Sequence, residues 1–336
     1  PGRKLSEIVL FQDENGGIER HDTTASATKE GLRRLMQASG FWPRLRRRPF
    51  GGMPSMGEVP AAIFVMGADT SPYAPDPQQE LEGREASFDR GLAALRRLTD
   101  GPIFVCLSES AASPDLTAED VRWVACGHRH PQGSAGIRIH QAFPAGLDAP
   151  VWDIHVGDVA DLGDLEEKGE LPMTRLVRIA GAGLREGLSL RTHPGADLRQ
   201  LTQRIAAPGP HMLMSGSHLD GRPARWLRQR QRQITVLPRE APRPRPHWLI
   251  AALTESASTK PAIPTAALSQ SLGKVIHAIP FIRALGAGDD ETAMSLGLLS
   301  LLEEDVALAD YSLGAGGSVM EQLRAMLQRI QTEYAA

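Results

Sequence analysis

Three histidines, one aspartate and a run of guanidiniums are the side chains here best suited to chemistry. Neutral imidazoles at His130, His140 and His155 can donate a hydrogen bond to a ligand carbonyl and later relay a proton, since histidine titrates nearest neutral pH. His130 opens a Pro-Gln-Gly turn, and His140 falls at the end of an expected strand, where α/β sheets bind ligands. The plainer reading of all three is loop imidazoles on a solvated rim. Asp69 follows an apolar run that reads as a buried strand, the place of a ribose or flavin contact in a nucleotide-binding sheet. Between Ser39 and Met53 stand Trp42, Pro43 and the guanidiniums of Arg44, Arg46, Arg47 and Arg48. A phosphate cradle needs glycine so that backbone N–H groups can approach the ligand. A turn filled with arginine covers that backbone instead, and Asp69 is expected to be its counter-charge rather than a ligand contact.

Other chemistries find less support. Ser108, Ser110 and Ser113 lack the Gly-x-Ser-x-Gly turn that exposes a nucleophile, which argues against a hydrolase. Arg225, Arg228, Arg230 and Arg232 surround Trp226, a basic-aromatic cluster of the kind that stacks on single-stranded nucleic acid. The net charge of −3 favours reading it as a face for subunit contact or solubility. No His, Asp or Glu pair stands at tight ligand spacing on one element, so no metal is expected. Cys106 and Cys126 are the only cysteines and form no Cys-x-x-Cys, which excludes an all-cysteine iron–sulfur site and fits a reducing compartment.

These residues must be carried by more than one domain, because 336 residues can bury several cores. Residues 4–11 read as a single strand, and residues 23–39 as a helix capped by Thr24 or Ser26 and ended by Gly40. The continuous apolar run at 61–67 is the pattern of a strand buried on both faces of a parallel sheet. A helix over 78–99 and a second buried strand at 102–107 complete a βαβ crossover. Further strands are expected at 136–140 and 151–156. From 173 to 237 the pattern changes to alternating strands at 174–180, 188–192, 212–215 and 233–237 around a short helix at 196–204. Pro242, Pro244 and Pro246 among arginines mark an extended linker. Helical periodicity then runs through 268–279, 281–285, 290–302 and 318–334. The apolar runs at 61–68 and 248–253 are far shorter than the roughly 20 residues of a membrane span. The start has a basic residue pair but no apolar core after it, so it is not a secretory signal, and the chain reads as entered partway through a domain.

Taken in order, several segments resemble the A subunit of the sodium-translocating NADH:quinone oxidoreductase. They include Ala38-Ser-Gly-Phe-Trp with Arg48-Pro-Phe, Ile63-Phe-Val with Asp69-Thr-Ser-Pro, and Leu98-Thr-Asp-Gly. Beyond these come His130-Pro-Gln-Gly with Gly136-Ile-Arg-Ile-His, Val151-Trp-Asp-Ile-His, Arg178-Ile-Ala-Gly and Ser215-Gly-Ser-His-Leu-Asp-Gly-Arg. The resemblance covers the chain from about residue 30 onward.

It implies an α/β, multi-domain architecture like a remodelled flavin-binding subunit of complex I. The tail of a lipoyl-like β domain would occupy residues 1–22, a Rossmann-like α/β domain 23–172, a β-grasp (SLBB-like) domain 173–248 and a C-terminal helical bundle 249–336. It implies a peripheral subunit without cofactors of its own, on the cytoplasmic side of the bacterial inner membrane, beside a membrane-embedded partner. NADH, flavins, iron–sulfur centres and ubiquinone would belong to the rest of the complex, and no nucleic acid would be bound. A quinone-approach or vestigial nucleotide site would fall on Arg46, Arg48, Asp69, His130 and His140, with no catalytic residue or metal ligand. The related C subunit of the Rnf complex keeps a glycine loop and cluster cysteines that this chain lacks. Cysteines usual in the family near 296–305 and 311–317 are also absent, so their role does not carry over. A stand-alone flavin- or nucleotide-binding oxidoreductase and an Rnf-type adaptor remain the competing readings.

Overall fold

The computed structural model describes residues 8–9, 17–111, 121–239 and 266–334. The strand expected at 4–11 and the linker after Arg239 therefore fall almost wholly outside the described residues; Ile8 and Val9, which are described, are exposed and in no strand.

The first sheet has five strands: β1 (Arg46–Arg48), β2 (Ala62–Gly67), β3 (Ile103–Ser108), β4 (Val121–Cys126) and β5 (Val151–His155), in the spatial order β1-β5-β2-β3-β4. β2, β3, β4 and β5 run parallel, and β1 closes the edge antiparallel to β5, with Arg46 opposite Asp153 and Arg48 opposite Val151. All six residues of β2 are buried, as an unbroken apolar run in a parallel sheet requires. One face packs against α1 (Lys29–Ala38), α2 (Glu85–Arg96) and α4 (Val156–Lys168), and the other receives α3 (Ala135–Ala142). α2 and α4 cross at glycine: a Cβ on Gly91 would stand 1.9 Å from the Val159 carbonyl oxygen, and one on Gly163 1.9 Å from that of Ser87.

Several expectations need correction. The arginine segment is no turn: residues 42–44 form one turn of 3₁₀ helix and Arg46–Arg48 continue as a sheet strand. Residues 136–140 form a helix, not a strand, although Ile-Arg-Ile-His alternates. The reason is tertiary, since Asp305, far along the chain, accepts the Gly136 N–H at 3.0 Å and caps the helix start. α1 begins later than expected, at the Thr28 cap, whose hydroxyl accepts the Gly31 N–H at 3.1 Å. α2 likewise spans Glu85–Arg96 rather than 78–99, a separate 3₁₀ turn at Pro77–Glu80 taking the earlier residues. β4 and α4 are additions. α4 escapes a search for amphipathic stripes because its first ten residues, Asp158, Asp161 and Asp164 included, are all buried.

The second sheet comprises β6 (Arg175–Ala180), β7 (Leu188–Thr192), β8 (His211–Ser215), β9 (Arg222–Pro223) and β10 (Gln233–Pro238), ordered β7-β6-β10-β8-β9. β6 and β7 form a hairpin, α5 (Leu198–Thr202) follows, and β10 returns parallel to β6 in the middle of the sheet. The last part is helical: α6 (Ala266–Ser271), α7 (Ala278–Ala287), α8 (Asp290–Ser295), α9 (Glu303–Leu313) and α10 (Ser318–Tyr334) enclose Phe281, Leu298, Leu323 and Met326. α9, as a separate helix, is a further addition. Asp310 on it accepts the N–H groups of Gly317 at 2.7 Å and Val319 at 2.8 Å, fixing the start of α10.

Candidate functional site

From β2 the chain steps outward through β3 to β4, then returns to place β5 on the other side of β2. Between β2 and β5 lies the topological switch point, where open α/β sheets form their ligand crevice at the carboxyl ends of the strands. A cleft of about 210 Å³ occupies that place, lined by Met66 near the end of β2, by Ala68 and Asp69 after it, and by Ile154 and His155 at the end of β5. Asp220, Arg230 and Arg232, from the loops before β9 and β10, and Glu304 of α9 close it from above.

The floor is the start of α4, whose free N–H groups and dipole would suit an anion. The protein fills this position itself. The His155 imidazole accepts the Gly157 N–H through Nδ1 at 3.0 Å, so the ring is held as its Nε2–H tautomer. Burial, reinforced by Arg232, holds His155 well below the usual histidine range. Asp158, in the first turn, pairs with Arg44 at 3.2 Å and Arg232 at 3.1 Å. Burial would raise the Asp158 pKa, but Arg232, then Arg44 and Arg175, outweigh it and hold the carboxyl far below the usual range. Arg44 also binds Asp161, and Arg232 binds Glu80. Glu80 in turn accepts the Leu176 N–H at 2.8 Å, which ties the second sheet to the 3₁₀ turn between β2 and α2.

At the mouth, His130 Nδ1 lies 3.3 Å from the Thr70 hydroxyl, which accepts the Gly133 N–H at 2.9 Å. Burial lowers the His130 pKa, against the pull of Asp69 and Asp220, so the imidazole is neutral near pH 7. Asp69 keeps contact with the cleft's solvent, yet crowding by protein raises its pKa, with the charge of Asp220 adding to the effect. Its carboxylate accepts the Ser71 N–H at 2.8 Å, and among the described residues no ion pair joins it to an arginine. The expected Asp69–arginine pair is therefore corrected: Arg46 turns to Glu304 and Asp153 instead. Arg230 donates to the carbonyls of Pro43 at 3.1 Å, Gly52 at 3.3 Å and Leu45. Burial, with repulsion from Arg46, lowers its pKa to about 10.

Of the five residues singled out from sequence, Arg46, Asp69 and His130 come together on this cleft. Arg48 does not line it. Fully buried, it donates to Asp305 at 2.5 Å, Asp153 at 3.1 Å and the Ser300 carbonyl at 3.0 Å, joining the sheet to the helical part. His140 lies on α3 with its ring against Gly297, where a Cβ would come within 2.4 Å of Cε1. Its buried Nδ1 has no hydrogen-bond partner among the described residues, and burial lowers its pKa. Sequence reasoning weighed His155 but overlooked Asp158, Arg230 and Arg232 as cleft residues. Asp158 carried a signal, since an aspartate three residues into an apolar run after a strand is an N-terminal helix charge. The two arginines carried none, because they reach the cleft from the loop before β10, far along the chain.

The family model described as the NqrA second alpha/beta domain matches residues 27–171. The A subunit of the Na(+)-translocating NADH-quinone reductase of Saccharophagus degradans is 33% identical over 98% of this chain and 81% of its own length. That of Teredinibacter turnerae is 33% identical over the same shares, and that of Alcanivorax borkumensis 31% over 86% and 71%. Among solved structures, a chain of an NAD+-reducing [NiFe]-hydrogenase in the air-oxidized state aligns with a TM-score of 0.45 at 12% identity, over 90% of this chain and 64% of that one.

Proposed function

The chain belongs to the family of A subunits of the Na(+)-translocating NADH-quinone reductases, an oxidoreductase complex, and from that premise we propose that it serves there as a peripheral subunit without a cofactor of its own. The observation that carries this reading is the filled start of α4. At the switch point, where a nucleotide-binding sheet would receive a phosphate, His155 caps the helix and Asp158 is locked between Arg44 and Arg232. A dinucleotide or flavin phosphate entering there would meet the Asp158 carboxylate and displace two buried ion pairs, and breaking one such pair costs about 3–5 kcal/mol.

The same arginines support a scaffolding role. Arg230 and Arg232 hold the second sheet to the first domain, and Arg48 holds the helical part to it. The hairpin, helix and parallel return of β10 beside β6 support a β-grasp reading of the second sheet, and the order of the first supports a Rossmann-like one. Electron transfer from NADH to quinone, coupled to sodium export, then runs through flavins and iron–sulfur centres of partner subunits, one of them embedded in the membrane. No helix among the described residues is long and apolar enough to cross a membrane, which supports a peripheral seat, and we assign that seat to the cytoplasmic face. The mouth at Arg46, Asp69 and His130 is the place we assign to a quinone approach, with the neutral His130 ring as donor to a carbonyl.

Calorimetric titration of the full chain tests this. NADH and FMN are expected to give no heat of binding up to about 100 μM, a level at which a working nucleotide site would be filled. Micromolar binding of either would overturn the cofactor-free role. A short-chain quinone is expected to bind weakly and to lose that binding in His130→Ala.

A further inference from the structure

A second cleft, of about 620 Å³, lies on the second sheet between α5 and the β8–β9 edge, apart from the switch point. Its floor is apolar, with Met212, Leu213 and Pro223, and its rim carries Arg199, Arg225 and Arg239. Backbone bonds fix both walls. Asp197 accepts the Arg199 N–H at 2.8 Å, the Leu198 N–H donates to the Arg225 carbonyl at 2.9 Å, and the Ala224 N–H to that of Leu213 at 3.1 Å. The groove is thus preformed, so an occupant need not order it on binding.

Its charge sets it apart. No carboxylate stands among the described residues that line it, in a chain whose net charge is −3. Arg225 stacks its guanidinium 4.5 Å from the Trp226 ring, lies 3.7 Å from Asp197, and keeps 68% of its side chain exposed. The guanidiniums of Arg199 and Arg239 have no ion-pair partner among the described residues, and both residues are exposed. A cationic rim over an apolar floor is complementary to one kind of occupant: a segment with carboxylates flanking apolar side chains. Residues 240–265 of this chain do not fit that description, carrying Arg243, Arg245 and Lys260 against Glu240 and Glu255.

We propose that this groove docks an acidic, apolar-anchored segment of another subunit of the complex. The proposal rests on the assembly role above and names the chemistry of the contact. The apolar side chains cover Met212 and Leu213, while the carboxylates meet Arg199 and Arg239. Most of the selectivity comes from the arginines, because the apolar floor alone would accept many sequences.

A photoreactive benzoylphenylalanine in place of Met212, introduced into the full chain within the assembled complex, tests the proposal after illumination and mass-spectrometric mapping. The expected adduct lies on another subunit, in a segment with carboxylates beside apolar residues. A synthetic peptide of that segment is expected to bind the full chain, more weakly as salt rises, and about tenfold more weakly or worse to Arg199→Glu or Arg239→Glu. Both variants alter exposed side chains, and circular dichroism is the check that they fold. An adduct on residues 240–265, on a second copy or on lipid, no adduct at all, or affinity indifferent to both reversals would overturn the docking site. If the chain still co-purifies with the complex in that event, the assembly role stands; nucleotide binding would overturn that role independently.

Discussion

Replacing Arg48 by methionine removes the guanidinium but keeps an unbranched side chain of similar reach in a fully buried site. Four contacts are lost: Asp305 at 2.5 Å, Asp153 at 3.1 Å, the Ser300 carbonyl at 3.0 Å and Glu304 at 3.3 Å. Breaking a buried pair by removing one partner costs about 3–5 kcal/mol, mostly because the other charge stays buried. Two features moderate the loss. Asp305 keeps the Ser134 hydroxyl at 2.7 Å and the N–H groups of Gly136 at 3.0 Å and Leu302 at 2.8 Å, and Asp153 keeps Arg46 nearby. The Ser300 carbonyl loses a donor, at about 1–3 kcal/mol. With each cost at its lower end, the sum is about 4 kcal/mol. Arg47→Met is the control, since Arg47 meets a single carboxylate, Glu58, at 3.1 Å where Arg48 makes four contacts, and its loss is expected to be the smaller. The assay is urea unfolding of the full chain by tryptophan fluorescence and far-UV circular dichroism. Trp42, Trp123 and Trp152, three of the five tryptophans, lie on or against the first sheet and weight the fluorescence toward it, with Trp42 and Trp152 5.6 Å apart, and helicity reports the whole chain. Arg48→Met is expected to shift the midpoint strongly and to separate the two probes, because it unties the helical part from the sheet. A loss below about 1 kcal/mol, equal to that of Arg47→Met, would refute the account of Arg48 as the buried tie.

Gly163→Ala is expected to destabilise by several kcal/mol on thermal melting, since the added methyl must push the Ser87 carbonyl from 1.9 Å and part α2 from α4. Asp69→Ala is expected to change stability by less than about 0.5 kcal/mol in the same melts, because the residue is exposed at the cleft and, among the described residues, its carboxylate bonds to its own turn and to no arginine. Burial lowers the pKa of His155, so the unfolded chain binds the proton first as pH falls below about 6.5. Stability therefore drops on acidification through that window by up to about 1.4 kcal/mol per pH unit for this group. His155→Asn, which can still cap α4, is expected to flatten the corresponding part of a stability-against-pH curve measured by chemical denaturation.

Much of the first domain was legible because its strands are long apolar runs, and burial on both faces of a parallel sheet leaves that mark directly in the sequence. Residues 61–67 and 102–107 carried it plainly, whereas β4, which alternates at a sheet edge, and α4, buried all round, did not. Residues 136–140 alternate in type like a strand and fold as helix because a carboxylate from α9 caps them. The cleft was half legible: the position after β2 pointed to Asp69, and a Pro-Gln-Gly turn pointed to His130, but their neighbours Arg230 and Arg232 come from the loop that leads into β10.

What the sequence by itself determined is the family, the sheet strands with apolar cores, the absence of cluster cysteines and the presence of an arginine run between a helix end and the first buried strand. Each is a property of residue types and their order. Only the tertiary structure decided what those arginines do. Buried charges take the partners that the fold brings within reach, and a linear chain does not say that Asp305 lies beside Arg48, or Asp158 beside Arg44 and Arg232. The run divides accordingly: Arg48 ties the helices to the sheet, Arg44 helps fill the start of α4, and Arg46 alone of the three faces the mouth with Asp69 and His130.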